Sequence, residues 1–178
     1  RIVLEKQDYH LISNDEGYQL GLRVLLGKRQ GFTSCNTLNP NDLKEMAIRA
    51  VELASFSPEN PYYNILPSTD PPKGMPANTW DEAIHKGTIK TQQEWTSLLF
   101  NEATANKLFR LNEGSTEVSS SVVVVYNSKG TTKWEKDAVL SWSLMGMAAE
   151  GDHLTSFDYF SQLSRSSAEI PGQITRSV

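Results

Sequence analysis

The sequence contains few of the side chains on which catalytic and metal sites depend. Its 178 residues include one cysteine and three histidines. The lone cysteine, Cys35, excludes an internal disulfide framework and suits a reducing compartment, so we expect a cytoplasmic protein. The longest apolar stretch, Val122–Tyr126, is of strand length and far short of the ~20 residues that a membrane-spanning helix needs. We therefore expect no membrane partner.

Basic charge is also scarce. The chain has 17 Lys and Arg against 21 Asp and Glu, which gives a formal net charge of -4. Neither half of the sequence forms a basic arm, so no broad positive field is available to gather phosphates. We expect no nucleic-acid partner.

The three histidines do not form a local metal site. A zinc protease motif places two histidines one helical turn apart with a glutamate between them. His10, His85 and His153 are far apart in the sequence, and none has a Glu-x-x-His neighbour. Asp152 and Asp158 flank His153, but a polar turn between strands explains them more simply. We predict no metal ligand in this chain.

Nucleophile and phosphate motifs are missing as well. The sequence has no Gly-x-Ser-x-Gly elbow, no phosphate-binding glycine loop and no dinucleotide fingerprint. Cys35 could act as a nucleophile if a base approached it, but a half-buried small residue in a hairpin is the favoured interpretation. Lys28 and Arg29 are interpreted as a solvated hairpin tip. We thus predict no catalytic and no cofactor-binding residue.

Four tryptophans and a serine run are candidate contact residues. Core packing is favoured over base stacking for the tryptophans, because Trp95 falls on the apolar face of a helix and Trp142 in a strand. The other two are Trp80 and Trp134. Ser119–Ser121 could form an exposed strand edge that pairs with an extended peptide.

Local signals predict a hairpin followed by a helix. Strands over 20–26 and 31–36 flank the polar connection 27–30, and residues 1–12 could add a neighbouring strand. Asn39-Pro40 begins a helix, and Ser57-Pro58 ends it. Its apolar face comprises Leu43, Met46, Ala47, Ala50, Val51 and Ala54.

The rest of the sequence, from residue 57 onward, predicts a linker, a helix and a β-rich region. Six of the eight prolines lie in 57–90, and a capping box at Thr91–Glu94 begins a helix that buries Trp95, Leu98, Leu99, Ala103 and Leu108. Strands are expected over 118–126, 131–149 and 154–163. The unbroken apolar run 122–125 predicts a strand covered on both faces. The fold class is α+β, with an N-terminal unit 1–68, a linker 69–90 and a β-rich unit 91–178.

Two stretches resemble the TldD/PmbA family of candidate modulators of DNA gyrase and peptide-maturing metalloproteases. Gly21–Val24, Gly27–Phe32, Thr33–Asn36 and Ala50–Ala54 follow the order of that family's opening domain. The segments 122–130 and 157–165 are similar to its central domain. The Asn-Ser-x-Gly turn at 127–130 favours the PmbA (TldE) side of the pair.

The resemblance implies a scaffold role. In the family, TldD carries a His-Glu-x-x-x-His zinc site that its PmbA-like partner lacks, and this sequence contains no such motif. The resemblance thus implies a dimer, either homo- or hetero-, with a TldD/PmbA-like subunit, a peptide substrate and zinc held elsewhere in the assembly. Arg23, Gly31 and Asn36 match motif positions, for which a turn glycine and a capping asparagine are sufficient structural reasons.

Two other functions stay open on the sequence. One is a non-enzymatic module that binds a peptide or protein through an exposed strand edge. The other is a cysteine hydrolase that uses Cys35.

Overall fold

The computed structural model describes residues 1–5, 8–63 and 79–177. Helices and antiparallel sheets confirm the α+β class. The chain forms two compact units. The smaller unit is Asp15–Ser68, and the larger joins Arg1–Asn14 to Thr69–Val178. The predicted domain boundary at residue 68 lies outside the described residues.

The smaller unit contains the predicted hairpin. Its strands are β3 (Leu20–Leu26) and β4 (Arg29–Cys35), paired antiparallel from Leu20↔Cys35 to Leu26↔Arg29. The turn is therefore Gly27-Lys28, two residues shorter than the predicted connection. Gly27 has φ +59°, a left-handed conformation that suits the two-residue loop of a β-hairpin.

The predicted helix follows as α1 (Pro40–Phe56). Asn39 caps it by accepting a hydrogen bond from the Asn41 N–H at 2.9 Å, and the helix stops at Ser57, before proline. Met46, Ala50 and Ala54 are buried, whereas Val51 is 45% exposed. The buried face is thus narrower than the periodicity predicts.

The larger unit is built on one antiparallel sheet. Its strand order is β2-β1-β5-β6-β7, and β8 pairs with β6. The bounds are β1 (Ile2–Glu5), β2 (Asp8–Ile12), β5 (Phe109–Tyr126), β6 (Thr132–Glu150), β7 (His153–Leu154) and β8 (Asp158–Ser164). The expectation that residues 1–12 lie beside the hairpin is wrong, because β1 pairs with β5 from Ile2↔Thr116 to Glu5↔Glu113.

Three helices cover one face of this sheet. They are α2 (Glu82–His85), α3 (Ile89–Ala105) and α4 (Ile170–Ser177). Alternate residues of β6 point into the core, among them Leu140 and Trp142, which are 0% and 1% exposed. The helices supply Ile84, Leu99, Ala103, Ile170 and Ile174.

The helix predicted to begin at Thr91 begins earlier. Thr88 is the N-cap, and its hydroxyl accepts from the Thr91 N–H at 3.3 Å. Leu99 and Ala103 are buried as predicted, Trp95 and Leu98 pack partly against the core, and Leu108 is exposed. Of the predicted linker 69–90, residues 69–78 lie outside the described residues; within the described part, α2 inserts Ile84 into the core.

A buried polar cluster joins α3 to β5. The Thr96 hydroxyl donates to the Gln92 carbonyl at 2.7 Å, so the Thr116 hydroxyl, 2.6 Å away, donates to Thr96. The Gln92 amide donates to the Thr116 carbonyl at 2.9 Å. Each buried hydroxyl is therefore satisfied, and the cluster fixes α3 over the middle of β5.

Among the described residues, no helix combines the length and apolarity needed to cross a bilayer.

Candidate functional site

The three histidines lie on separate elements. His10 on β2 is 3.3 Å from the Glu5 carboxylate, and His85 at the end of α2 is 3.1 Å from the Ser120 hydroxyl. His153 lies on the two-residue strand β7. Within the described ranges, no three His, Cys, Asp or Glu side chains come together as a metal site. The described residues thus offer no ligand set for zinc.

The acidic neighbours of His153 do not pair with it. Asp158 at the start of β8 accepts a hydrogen bond from the Tyr159 N–H at 2.8 Å. Asp152 lies in the turn after β6, where Gly151 has φ +59°. No ion pair found between described residues involves His153. The polar-turn interpretation therefore fits this segment.

Cys35 lies at the end of β4 in the smaller unit. Its thiol is half-buried and 3.5 Å from the Thr37 carbonyl. It lines an open depression of about 410 Å³ with four other residues, which are Tyr18, Gln19, Ser34 and Asn36. No histidine or carboxylate side chain of the described residues lines this depression, so the geometry supplies no base to activate the thiol.

The cations at the hairpin tip differ in their surroundings. Arg29 donates to the Ser55 carbonyl at 2.9 Å and lies 3.6 Å from Glu59. The Lys28 carbonyl accepts from the Asn60 N–H, while its side chain is exposed. Arg29 thus connects the hairpin to the end of α1, and Lys28 is the solvated part of the tip.

Gly31 and Asn36 do not have the turn and capping roles that the sequence suggests. Gly31 lies within β4, paired with Val24, and not in a turn. A Cβ at this position would collide with the backbone of α1, at the Ala50 carbonyl oxygen and the Ala54 nitrogen. Asn36 follows β4, and the capping asparagine is Asn39. Gly31 is therefore needed for close packing of the hairpin on the helix.

The valine run is the main departure from the sequence prediction. Val122–Val125 are each 56–62% exposed, so the expected cover on both faces is wrong. Beyond the pairings of β1 with β5 and of β8 with β6, the two long strands continue as a ribbon. We call residues 117–137 of this hairpin the ribbon arm. Its turn, residues 127–130, is the predicted one, with Gly130 at φ +86°.

Both faces of the ribbon arm carry apolar side chains. Val122 and Val124 are opposite Lys136 and Trp134, whereas Val123 is opposite Glu135. Since Ala138 and Leu140 point into the core, alternation places the Trp134 face on the same side as the core. Trp134 is 53% and Tyr126 72% exposed. The core-packing interpretation thus holds for Trp142, Trp95 and Trp80 but not for Trp134.

An aromatic cluster supports the base of the ribbon arm. The Lys136 ammonium lies 5.2 Å from the Trp80 ring and 5.7 Å from the Trp134 ring, within cation–π range. The Trp80 ring lies 4.4 Å from the His85 ring at a tilt of 41°, and the indole N–H of Trp80 donates to Glu82 at 2.7 Å. Hydrogen bonds from Lys86 and Trp80 lower the pKa of the Glu82 carboxyl. Trp80 and Lys136 thus support the base of the arm, whereas its residues 122–126 are exposed.

An ion pair supports the same base from β6. Arg165 donates to Asp137 at 2.7 Å, and this bond raises the pKa of the Arg165 guanidinium. Among the described residues, the candidate functional site is therefore the exposed apolar surface of the ribbon arm. Its signal in the sequence is the uncharged run 118–128, which periodicity alone does not separate from a buried strand.

Comparisons with known proteins support the resemblance. Residues 1–54 match the family model described as PmbA/TldA metallopeptidase domain 1. No curated protein sequence matches the chain significantly.

Three solved structures share the fold. TldE from Thermococcus kodakarensis has a TM-score of 0.85 at 17% identity, over 99% of this chain and 40% of that one. A candidate modulator of DNA gyrase from Thermotoga maritima has a TM-score of 0.79 at 12% identity, over 99% of this chain and 40% of that one. Another candidate modulator of DNA gyrase, from Bacteroides thetaiotaomicron, has a TM-score of 0.74 at 17% identity, over 98% of this chain and 41% of that one. The chain spans about 40% of the length of these structures. Residues 1–54 therefore match the first domain of the PmbA/TldA family, and the chain shares the fold of these three structures along its length.

Proposed function

We propose that this chain is the N-terminal and central scaffold of a subunit in a cytoplasmic zinc-metalloprotease assembly that processes peptides. The observation that carries the proposal is the match of residues 1–54 to the first domain of a metallopeptidase family. The fold shared with TldE over 99% of the chain supports it and favours the PmbA (TldE) side of the family.

The chain itself supplies shape and contact surface. It contains no His-Glu-x-x-x-His motif, and the described residues bring no three metal ligands together. The zinc ligands of the assembly would therefore come from residues outside this sequence, in the same subunit or in a TldD/PmbA-like partner. No catalytic step is assigned to a residue of this chain.

Affinity purification of the full-length protein from its native cells tests the proposal. A TldD/PmbA-like subunit and zinc should co-purify, and the complex should hydrolyse unfolded peptides. A chelator should abolish hydrolysis, and added zinc should restore it. A parallel purification in chelator serves as the control for adventitious metal. Recovery of a metal-free, partnerless protein without peptidase activity would reject the proposal.

A further inference from the structure

We propose that the outer face of the β3–β4 hairpin binds an acidic, extended segment of a partner protein. We define this outer face by the residues on the side away from α1, which are Gly21, Arg23, Leu25, Gln30, Phe32 and Ser34. The site lies wholly within the smaller unit and involves neither the ribbon arm nor the proposed zinc centre. Its ligand is a segment that carries carboxylates beside apolar side chains.

Strand alternation divides the hairpin into two faces. Gly31 packs directly on α1, because a Cβ there would meet the helix backbone, and the Thr33 hydroxyl donates to the Met46 carbonyl at 3.2 Å. Phe32 lies between these two strand residues and therefore points to the opposite side. Its cross-strand partner is Arg23, which shares that side. Within the smaller unit, no described helix packs on this outer face.

Phe32 is an exposed aromatic side chain with a defined position. It is 56% exposed, and its ring lies over Gly21, where an added Cβ would be only 3.2 Å from the ring. Gly21 therefore lets the ring lie close to the strand, so Phe32 loses little conformational entropy when a partner covers it. Ordered aromatic side chains of this kind are typical centres of protein interfaces.

Arg23 supplies positive charge beside this ring. Its guanidinium forms no ion pair and no cation–π contact with a described residue. Residues 20–35 contain three cations and no Asp or Glu, although the whole chain has a net charge of -4. Arg29 already pairs with Glu59, whereas Lys28 is exposed at the tip. Carboxylates complement this face, and the Arg23 guanidinium can bind one of them through two N–H groups.

A depression at the open end of the hairpin adjoins the outer face. It has a volume of about 410 Å³ and is lined by Tyr18, Gln19, Ser34, Cys35 and Asn36. Ser34 also belongs to the outer face, where it is opposite Gly21 and about 7 Å along β4 from Phe32. The hydroxyl and amide groups of the depression suit an uncharged side chain of the bound segment.

The charges around the hairpin give the bound segment a direction. Asp15 and Glu16 precede β3, whereas Lys28 lies at the tip. Carboxylates of the segment therefore lie toward Arg23 and the tip, and its uncharged residues lie toward the depression. Nucleic acid fits this face poorly, because Arg23 and Lys28 are the only unpaired cations of the hairpin and a phosphate backbone needs several.

Amide chemical shifts of the ¹⁵N-labelled chain, measured during a peptide titration, test the site. The probe is a peptide of two glutamates followed by two leucines, repeated three times. It presents both side-chain types on each face of an extended chain. The signals of Gly21, Arg23 and Phe32 should shift, and those of Lys44 and Arg49 on α1 should not. Peptides with glutamine or lysine in place of glutamate should bind about tenfold more weakly or less.

Two pairs of variants separate the outer face from exposed side chains elsewhere in the unit. Arg23→Gln and Phe32→Ser should each weaken binding of the glutamate–leucine peptide about tenfold. The matched controls on α1 are Arg49→Gln, which removes an exposed cation, and Phe56→Ser, which removes a ring that is 89% exposed. The controls should change the dissociation constant by less than about twofold. All four variants should keep the circular dichroism spectrum of the parent chain.

Three binding results would overturn the inference. They are no binding at millimolar peptide, equal affinity for the glutamate, glutamine and lysine peptides, and control variants that lose as much affinity as Arg23→Gln. Shifts confined to α1 or to the ribbon arm would do the same. The titration contains no zinc and no second subunit, so its failure and the failure of the proposed assembly are distinguishable.

Discussion

At the scale of single residues, Gly31 sets the distance between the hairpin and α1. An added Cβ would meet backbone atoms of Ala50 and Ala54, which cannot rotate away. We expect Gly31→Ala to lower the free energy of unfolding by about 1–3 kcal/mol or more, as overpacked cores do. Denaturant unfolding followed by circular dichroism measures the change.

Gly17→Ala is the matched control for this prediction. Gly17 belongs to the same unit, has open space within 4 Å of the place where a Cβ would lie and shows no positive φ. Its substitution should change the free energy of unfolding by less than about 0.5 kcal/mol. Equal stability of the two variants would refute the packing role of Gly31.

Asp81 accepts several structural hydrogen bonds at the start of α2. Burial opposes its ionisation, but bonds from Ser167 at 2.6 Å and from Ala83 at 2.8 Å outweigh burial and lower the pKa of Asp81. A lowered folded-state pKa means that the charged form stabilises the fold above the unfolded pKa of about 3.9. This stability is lost as the pH falls through the folded pKa.

Asp81→Ala should therefore lower the free energy of unfolding at pH 7 by about 1 kcal/mol or more, as removal of a helix N-cap does. Asp81→Asn keeps the shape without the charge, so its deficit should shrink as the pH falls below about 4. Urea unfolding at several pH values measures the loss of unfolding free energy in both variants. A deficit for Asp81→Asn that is constant with pH would contradict the assigned role of the charge.

At the scale of elements, substitutions in the exposed part of the β5–β6 hairpin should change its stability much less than substitutions in the buried part. Val123 and Val125 are 56% exposed, whereas Leu140 is fully buried. Val123→Thr with Val125→Thr should change the free energy of unfolding by less than about 0.5 kcal/mol per site. Leu140→Ala should cost about 2–5 kcal/mol. Thermal and urea unfolding measure the stability of the double threonine variant and of Leu140→Ala.

A large loss in the double threonine variant would contradict an exposed arm. The same measurement would then favour the sequence prediction that the run is covered on both faces.

Elements with local signals can be predicted from the sequence, and elements set by distant contacts cannot. Gly27 specifies the turn of the hairpin, and Asn39-Pro40 and Ser57-Pro58 mark the ends of α1. β1 carries no local mark of its partner, because its pairing with β5 depends on residues more than 100 positions away. The prediction for the valine run is wrong because continuous apolarity does not distinguish a buried strand from an exposed one.

The candidate site shows the same limit. The sequence predicts that the histidines and Cys35 form no catalytic centre, and this stays a prediction. The sequence does not predict that Trp80, His85 and Lys136 come together at the base of the arm. Only the pairing of β5 with β6 and the placement of α2 bring them together.

At the scale of the whole molecule, the chain order hides which residues share a core. Arg1–Asn14 join the unit formed by Thr69–Val178, and the hairpin and α1 form a unit of their own between them in the sequence. A prediction that follows the chain groups residues 1–14 with their neighbours in sequence. Long-range strand pairing decides otherwise, because the backbone groups of β1 need β5 as a partner.

The charge of the whole molecule predicts that it does not bind DNA, although two proteins with this fold are described as candidate modulators of DNA gyrase. The net charge is -4, and three cations, Arg29, Arg165 and Lys86, already pair with carboxylates. Phosphate binding needs clustered free cations. Fluorescence anisotropy with labelled duplex DNA at about 0.15 M salt should show no binding. Affinity that falls steeply with added salt would contradict this prediction, because it would require several cations to release counterions at one surface.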